Sequence, residues 1–147
     1  MSLKQDMQLI NRSKESVRKT LDEFTTGWEN LDAVRVLATI AKNHETIIYG
    51  TDLVERWFGY EAFVEPVKAQ MVAFKNPKYT WGEGEPRIQV KGDVAWASGE
   101  LTVRLGDEGE VQENTMRSTF VLIWEDDYWK IIQAHFSIGM ETPVVAY

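Results

Sequence analysis

Near the end of the chain, two runs of β-branched and aromatic residues flank a short acidic stretch. Arg117-Ser118-Thr119-Phe120-Val121-Leu122-Ile123-Trp124 leads through Glu125-Asp126-Asp127-Tyr128 into Trp129-Lys130-Ile131-Ile132-Gln133-Ala134-His135-Phe136-Ser137. The pattern predicts a long β-hairpin. Alternation with period two puts Arg117, Thr119, Val121 and Ile123 on one face and Ser118, Phe120, Leu122 and Trp124 on the other. Both faces are largely apolar. A sheet of this kind has to be covered twice, by the chain's own helices on one side and by something else, such as a second subunit, on the other. Polar groups carried to a covered face need partners there.

Upstream, the period changes. Over residues 4–28, Met7, Ile10, Val17, Leu21, Phe24 and Trp28 recur mostly three, four or seven apart, the stripe of an amphipathic helix, with Gly27 at its end. A shorter helix is predicted over residues 31–40, where Asn30 or Asp32 can accept hydrogen bonds from its first amides. Residues 44–50 turn to strand character, and residues 51–59 read as a connection. Phe63, Val67, Met71 and Phe74 then mark a third helix starting near Tyr60, closed by Asn76-Pro77 because the residue before a proline disfavours helix. Pro66 in its first two turns is tolerated if the helix starts late. Strands are predicted over residues 78–83, 87–91 and 94–105, separated by Gly92-Asp93 and by the turn-rich residues 106–110. Helices followed by a run of antiparallel strands indicate an α+β domain with the helices on one face of the sheet.

A chain of 147 residues, 44% hydrophobic, can build one sizeable core, so a single domain is expected over residues 4–140. Met1-Ser2-Leu3 is set aside as an appended remnant, and residues 141–147 are read as a C-terminal tail. With 16 Lys and Arg against 23 Asp and Glu, the net charge is −7. No basic run is present, which argues against nucleic acid and anionic membranes as partners and leaves neutral or cationic ones easier to accommodate. Without cysteine there is no disulfide, thiol nucleophile or cysteine zinc site. No run approaches the roughly 18 apolar residues of a membrane span, and the N-terminus lacks a signal-peptide layout. A cytoplasmic location is the resulting expectation.

Several phrases carry a family resemblance. Gly50-Thr51-Asp52 and Gly59-Tyr60-Glu61 flank the entry to the third helix, Gly92-Asp93-Val94-Ala95-Trp96 opens a strand, and Arg117-Ser118-Thr119 and Trp129-Lys130-Ile131 lead to His135-Phe136-Ser137. In these residues, and over nearly all of 4–137, the chain resembles the SnoaL-like branch of the nuclear-transport-factor-2-like (NTF2-like) superfamily. The closing pattern is also similar to the association domain of calcium/calmodulin-dependent protein kinase II, although Phe136 stands where that domain's pocket arginine would follow the closing histidine. The resemblance implies a cone-shaped fold, with three N-terminal helices packed on a strongly curved, mainly antiparallel sheet around an internal pocket. It does not imply one activity, since the superfamily holds isomerases, cyclases, dehydratases, binding proteins and assembly domains.

On that scaffold the polar candidates are His135, Arg117 and Asp52. His135 can exchange a proton near neutral pH, or can be a histidine hydrogen-bonded to Ser137, Arg117 or backbone. Arg117 either meets an anionic ligand or pairs with Glu100 on the preceding strand. Asp52 follows Gly-Thr at the implied mouth, where a turn or cap role competes with acid–base work. Trp28, Tyr49, Trp57, Phe63, Trp81, Trp96 and Ser137 complete the expected ligand-binding set, with core packing the competing reading for each tryptophan. His44 and His135 lie on separate strands without metal-ligand spacing, no serine has a nucleophile-elbow setting, and Gly82-Glu83-Gly84 lacks a following helix, so neither metal nor cofactor is expected. Two functions remain: a cofactor-independent isomerase, cyclase or dehydratase, or simple binder, for an apolar or aromatic compound; and a homodimeric assembly domain using the face that bears Phe120, Leu122, Trp124, Ala134 and Phe136. Which face points inward depends on register, since a bulge at residues 125–128 would exchange the two.

Overall fold

The computed structural model describes residues 2, 3 and 12–142. Helix α1 (Lys14–Glu29) starts at Ser13, whose hydroxyl accepts the Ser16 amide at 3.3 Å. Its predicted earlier turns, with Met7 and Ile10, lie outside the described residues. Val17, Leu21, Phe24 and Trp28 are buried along one stripe, as a 3.6-residue period requires. Helix α2 (Ala33–Ala38) is capped by Asp32, and it packs so closely on α1 that a Cβ on Gly27 would fall 2.8 Å from Val36 Cγ2. Arg35 grips Glu23 through two hydrogen bonds of 2.7 and 3.0 Å, which hold the Glu23 carboxyl below the usual carboxylate range. Helix α3 (Tyr60–Ala73) begins at Tyr60 and retains Pro66 in its second turn; Phe63 and Val67 are its buried residues.

Seven strands follow these helices or lie between them: β1 (Ile47–Tyr49), β2 (Arg56–Phe58), β3 (Lys78–Trp81), β4 (Arg87–Lys91), β5 (Val94–Leu105), β6 (Gln112–Glu125) and β7 (Tyr128–Ser137). They form one curled, unclosed sheet in the order β2-β1-β7-β6-β5-β3, with β4 also paired to β5. Among the described strands β1 and β7 pair in parallel and the other ladders are antiparallel, and an isolated parallel bridge joins Ile40 to Ile131. Strand β2 was expected to be connection, because three residues are too short to show a period. The helices pack inside the curl. Trp129 Nε1 donates to Ser16 Oγ at 2.9 Å and Thr20 Oγ1 donates to the Trp129 carbonyl at 3.0 Å, so α1 is fastened to β7. The end of α2 is fastened there as well, by the Ala41 amide to the Ile131 carbonyl at 2.8 Å.

The hairpin faces the opposite way from the expected assignment. Phe120 and Leu122 are buried in the core with the helices, and Ser118 is buried with its hydroxyl donating to the Gly99 carbonyl at 2.7 Å, whereas Arg117 and Thr119 point out. Strand β7 reaches the same arrangement through a bulge, but inside the strand rather than at the turn. Val121 pairs with Gln133 and Leu122 with Ile131, leaving Ile132 as the extra residue. Trp129 and Ile131 therefore face inward on one side of the bulge, and Ala134 and Phe136 on the other. The residues expected to form a dimer surface, Phe120, Leu122, Trp124, Ala134 and Phe136, belong to the core cluster or pack against it. Burying their larger apolar area against α1 outweighs any placement that would desolvate Arg117 and His135. No helix among the described residues is long and apolar enough to cross a membrane.

Candidate functional site

Between the helices and the inner face of the sheet lies a cavity of about 300 Å³, within the usual range for small-molecule pockets. Buried Phe24, Trp28, Ile48, Phe63 and Leu101 form its floor, while exposed Thr51, Asn114 and Ile138 form its rim. Most of the aromatic pairs in the lining are edge to face or tilted, Trp57 on Phe63 with centroids 5.3 Å apart, Trp28 on Phe74 at 5.7 Å and Phe24 on Trp28 at 6.3 Å, while Phe24 and Phe136 stack in parallel at 6.3 Å.

The polar groups of the lining were not among the expected ones. Glu55, just before β2, lines the cavity and accepts two hydrogen bonds, from the Gln70 side-chain amide of α3 at 3.0 Å and from the Asp52 backbone amide at 2.9 Å. A glycine makes this possible. A Cβ on Gly50 would lie 2.7 Å from Glu55 Cβ and 2.9 Å from its Cδ, so any larger residue would push the side chain aside. The turn that carries it is closed by the Gly50 amide to the Glu55 carbonyl at 2.7 Å. Tyr79, on β3, brings a phenol into the same space. Burial, reinforced by the negative charge of Glu29, pushes its pKa well up, so it stays a neutral hydrogen-bond donor throughout the physiological range.

Of the expected site residues, the fold brings Trp28, Trp57 and Phe63 together in the cavity. Phe24, Phe74, Tyr79 and Phe136 join them; the helical period places Phe24 and Phe74 on apolar stripes, whereas Phe136 was expected on the outer face. The expected catalytic group is not assembled. His135, Arg117 and Ser137 lie on the outer face, along a shallow polar groove shared with Glu85, Ser98, Glu100 and Thr119. The Ile132 bulge and the inward demand of Phe120 and Leu122 put them there. Arg117 stands opposite Glu100 in the β5–β6 register, yet its guanidinium lies against Gly139, where a Cβ would fall 3.2 Å from Nη2.

Asp52 is exposed beside the rim and serves the turn through its backbone amide, which donates to the Glu55 carboxylate, rather than through the side-chain bond to nearby amides that its Gly-Thr-Asp context suggested. Tyr49 sits outside, 5.3 Å from the His135 ring and 6.1 Å from Phe58, because its neighbour Ile48 takes the inward position. Trp96 is also outside and 42% exposed, alternating with buried Ala95 and Ala97. Trp81 points inward but packs on Phe120 at 6.3 Å, away from the cavity lining. Glu55 and Gln70 escaped sequence reading because each looks like an ordinary surface residue; no local period signals a carboxylate whose partner is on another element. Among the described residues, no three acidic or histidine side chains converge as a metal-binding group.

Residues 17–141 match the family described as the SnoaL-like domain. Solved structures share the fold at low identity. An NTF2-like superfamily protein from Salmonella enterica is 19% identical over 89% of this chain and 94% of its own, with a TM-score of 0.75. A candidate dehydratase of the NTF2-like family from Streptomyces avermitilis is 15% identical over 86% and 95%, at 0.77. A candidate calcium/calmodulin-dependent protein kinase II association domain from Xanthomonas campestris is 22% identical over 86% and 87%, at 0.72. No curated protein matches the chain.

Proposed function

The chain belongs to the SnoaL-like domain family, and we propose that its cavity binds a small, largely apolar molecule carrying one polar end. The observation that carries this reading is the lining itself, an aromatic floor with one carboxylate held in place by Gln70, Asp52 and the space above Gly50. Area burial and ring stacking supply affinity, while the few fixed polar groups supply orientation. Acid–base chemistry would fall to Glu55 as proton acceptor, with the neutral Tyr79 phenol as donor to a ligand oxygen. A cofactor-independent isomerase, cyclase or dehydratase needs little more than such a pair in a dry interior. Thermal unfolding in the presence of aromatic alcohols, aromatic amines, polyketides and steroids tests binding. At a ligand concentration about 100 times its dissociation constant, stabilisation of about 2.7 kcal/mol is expected. A panel in which no compound raises the melting temperature would sink the proposal.

A second reading concerns assembly and does not compete with the first. Trp96 and Val94, each 42% exposed, stand on the outer face of the sheet opposite Val121 and Ile123, and Phe58, 59% exposed, stands farther along that face on edge strand β2, beside Tyr49. A curved apolar face of this kind suits a second copy of the chain.

A further inference from the structure

Charge in the cavity is one-sided. Among the described lining residues, Glu55 is the one that carries a formal charge at neutral pH, and no lysine, arginine or histidine lines the space. A carboxylate accepts hydrogen bonds and cannot donate them. Oε1 already accepts the Asp52 amide and Oε2 the Gln70 amide, which fix the group's position and leave each oxygen a further lone pair. A ligand group meeting Glu55 must therefore donate.

The rings strengthen this choice. Trp28, Trp57, Phe63, Phe74 and Tyr79 line the cavity, and the face of an aromatic ring attracts cations and repels anions. An alcohol would satisfy one lone pair of Glu55, whereas an ammonium donates up to three bonds, adds a charge opposite to that of the carboxylate, and is held by the rings as well. A ligand carboxylate would find no cationic side chain among the described lining residues and would be repelled by Glu55. The chain's net charge of −7 also favours the approach of cations.

We infer that the cavity selects protonated amines attached to an aromatic or similarly flat apolar body, and that Glu55 is the specificity-determining residue. The inference rests on the proposed reading of this cavity as the ligand site. Isothermal titration of the full chain at neutral pH with 2-phenylethylammonium, 2-phenylethanol and 3-phenylpropionate separates the two. The ammonium probe is expected to bind about tenfold more tightly than the alcohol, and the carboxylate more weakly than both. Glu55→Gln should collapse the gap between amine and alcohol, and Gly50→Ala, which keeps the charge but displaces it, should narrow the gap. An alcohol that binds as tightly as the amine in the unaltered chain overturns the amine assignment while leaving the cavity a binding site, and this comparison does not depend on any variant folding. An unchanged amine preference in a folded Glu55→Gln protein overturns the role of Glu55. If none of the three probes binds, the underlying reading of the cavity falls, and the amine assignment with it.

Discussion

Tyr79 illustrates how far a single side chain can depart from its behaviour in water. Its pKa is raised by burial and by the negative charge of Glu29 from an ordinary value of about 10. Below that ordinary value the phenol is protonated in the folded and unfolded chain alike, and stability has no slope from this group. Above it, the unfolded chain loses a proton that the folded chain keeps, so stability falls as pH rises toward the raised folded value, by up to about 1.4 kcal/mol per pH unit. Urea unfolding at pH 9 and pH 11 should therefore show a larger loss for the native chain than for Tyr79→Phe; equal losses would contradict the burial argument. At this scale the apolar part of the site was legible and the polar part was not. Trp28 and Phe63 fall on helical stripes that any core would use. Glu55 acquires its role from Gly50 five residues before it and Gln70 fifteen after it, and neither spacing leaves a periodic trace.

At the level of elements, the β6–β7 hairpin turns through Asp126 and Asp127, whose φ angles are 52° and 64°. Two successive positive φ angles define the tight turn that matches strand twist, and Asn-Gly adopts it with less strain than Asp-Asp. The double substitution Asp126→Asn, Asp127→Gly is expected to stabilise the chain by about 1 kcal/mol, a rise in melting temperature of about 3 °C. A melt at or below that of the native chain would show that the turn is not strained. Element boundaries were legible where turn residues bracket a strand, as for β4 and β5, whereas β6 begins at Gln112, five residues before the hairpin expected from Arg117. Orientation was another matter. Alternation divides the hairpin into two faces without saying which is inner; the resemblance suggested an inward His135 and Arg117, and in β7 one extra residue, Ile132, separates the pattern of residues 129–131 from that of residues 134–136. Period-two reasoning cannot see a bulge inside a run where every residue is plausible on either face.

Across the whole molecule, the sheet curls so that one face is consumed by the helices and the cavity, and the other is left with Trp96, Val94 and Phe58 exposed beside polar His135 and Arg117. If that face joins two copies, light scattering at micromolar concentration should give twice the chain mass. Trp96→Glu should then reduce it to the monomer without loss of helical circular dichroism; a native chain already monomeric would exclude the assembly reading. The parallel ladder between β1 and β7 has a different kind of consequence. Ile48 pairs with Ala134, and the end of α2 is tied to Ile131, so the first described strand of the sheet waits for the last one. During synthesis, at roughly 5–20 residues per second, the early helices and β1 emerge several seconds before their partner exists. Such distant pairings slow folding, because the loop between them must close before the contact rewards it. The aromatic floor of the cavity thus spends those seconds uncovered, and the final hairpin acts as the closing stitch of the nascent chain.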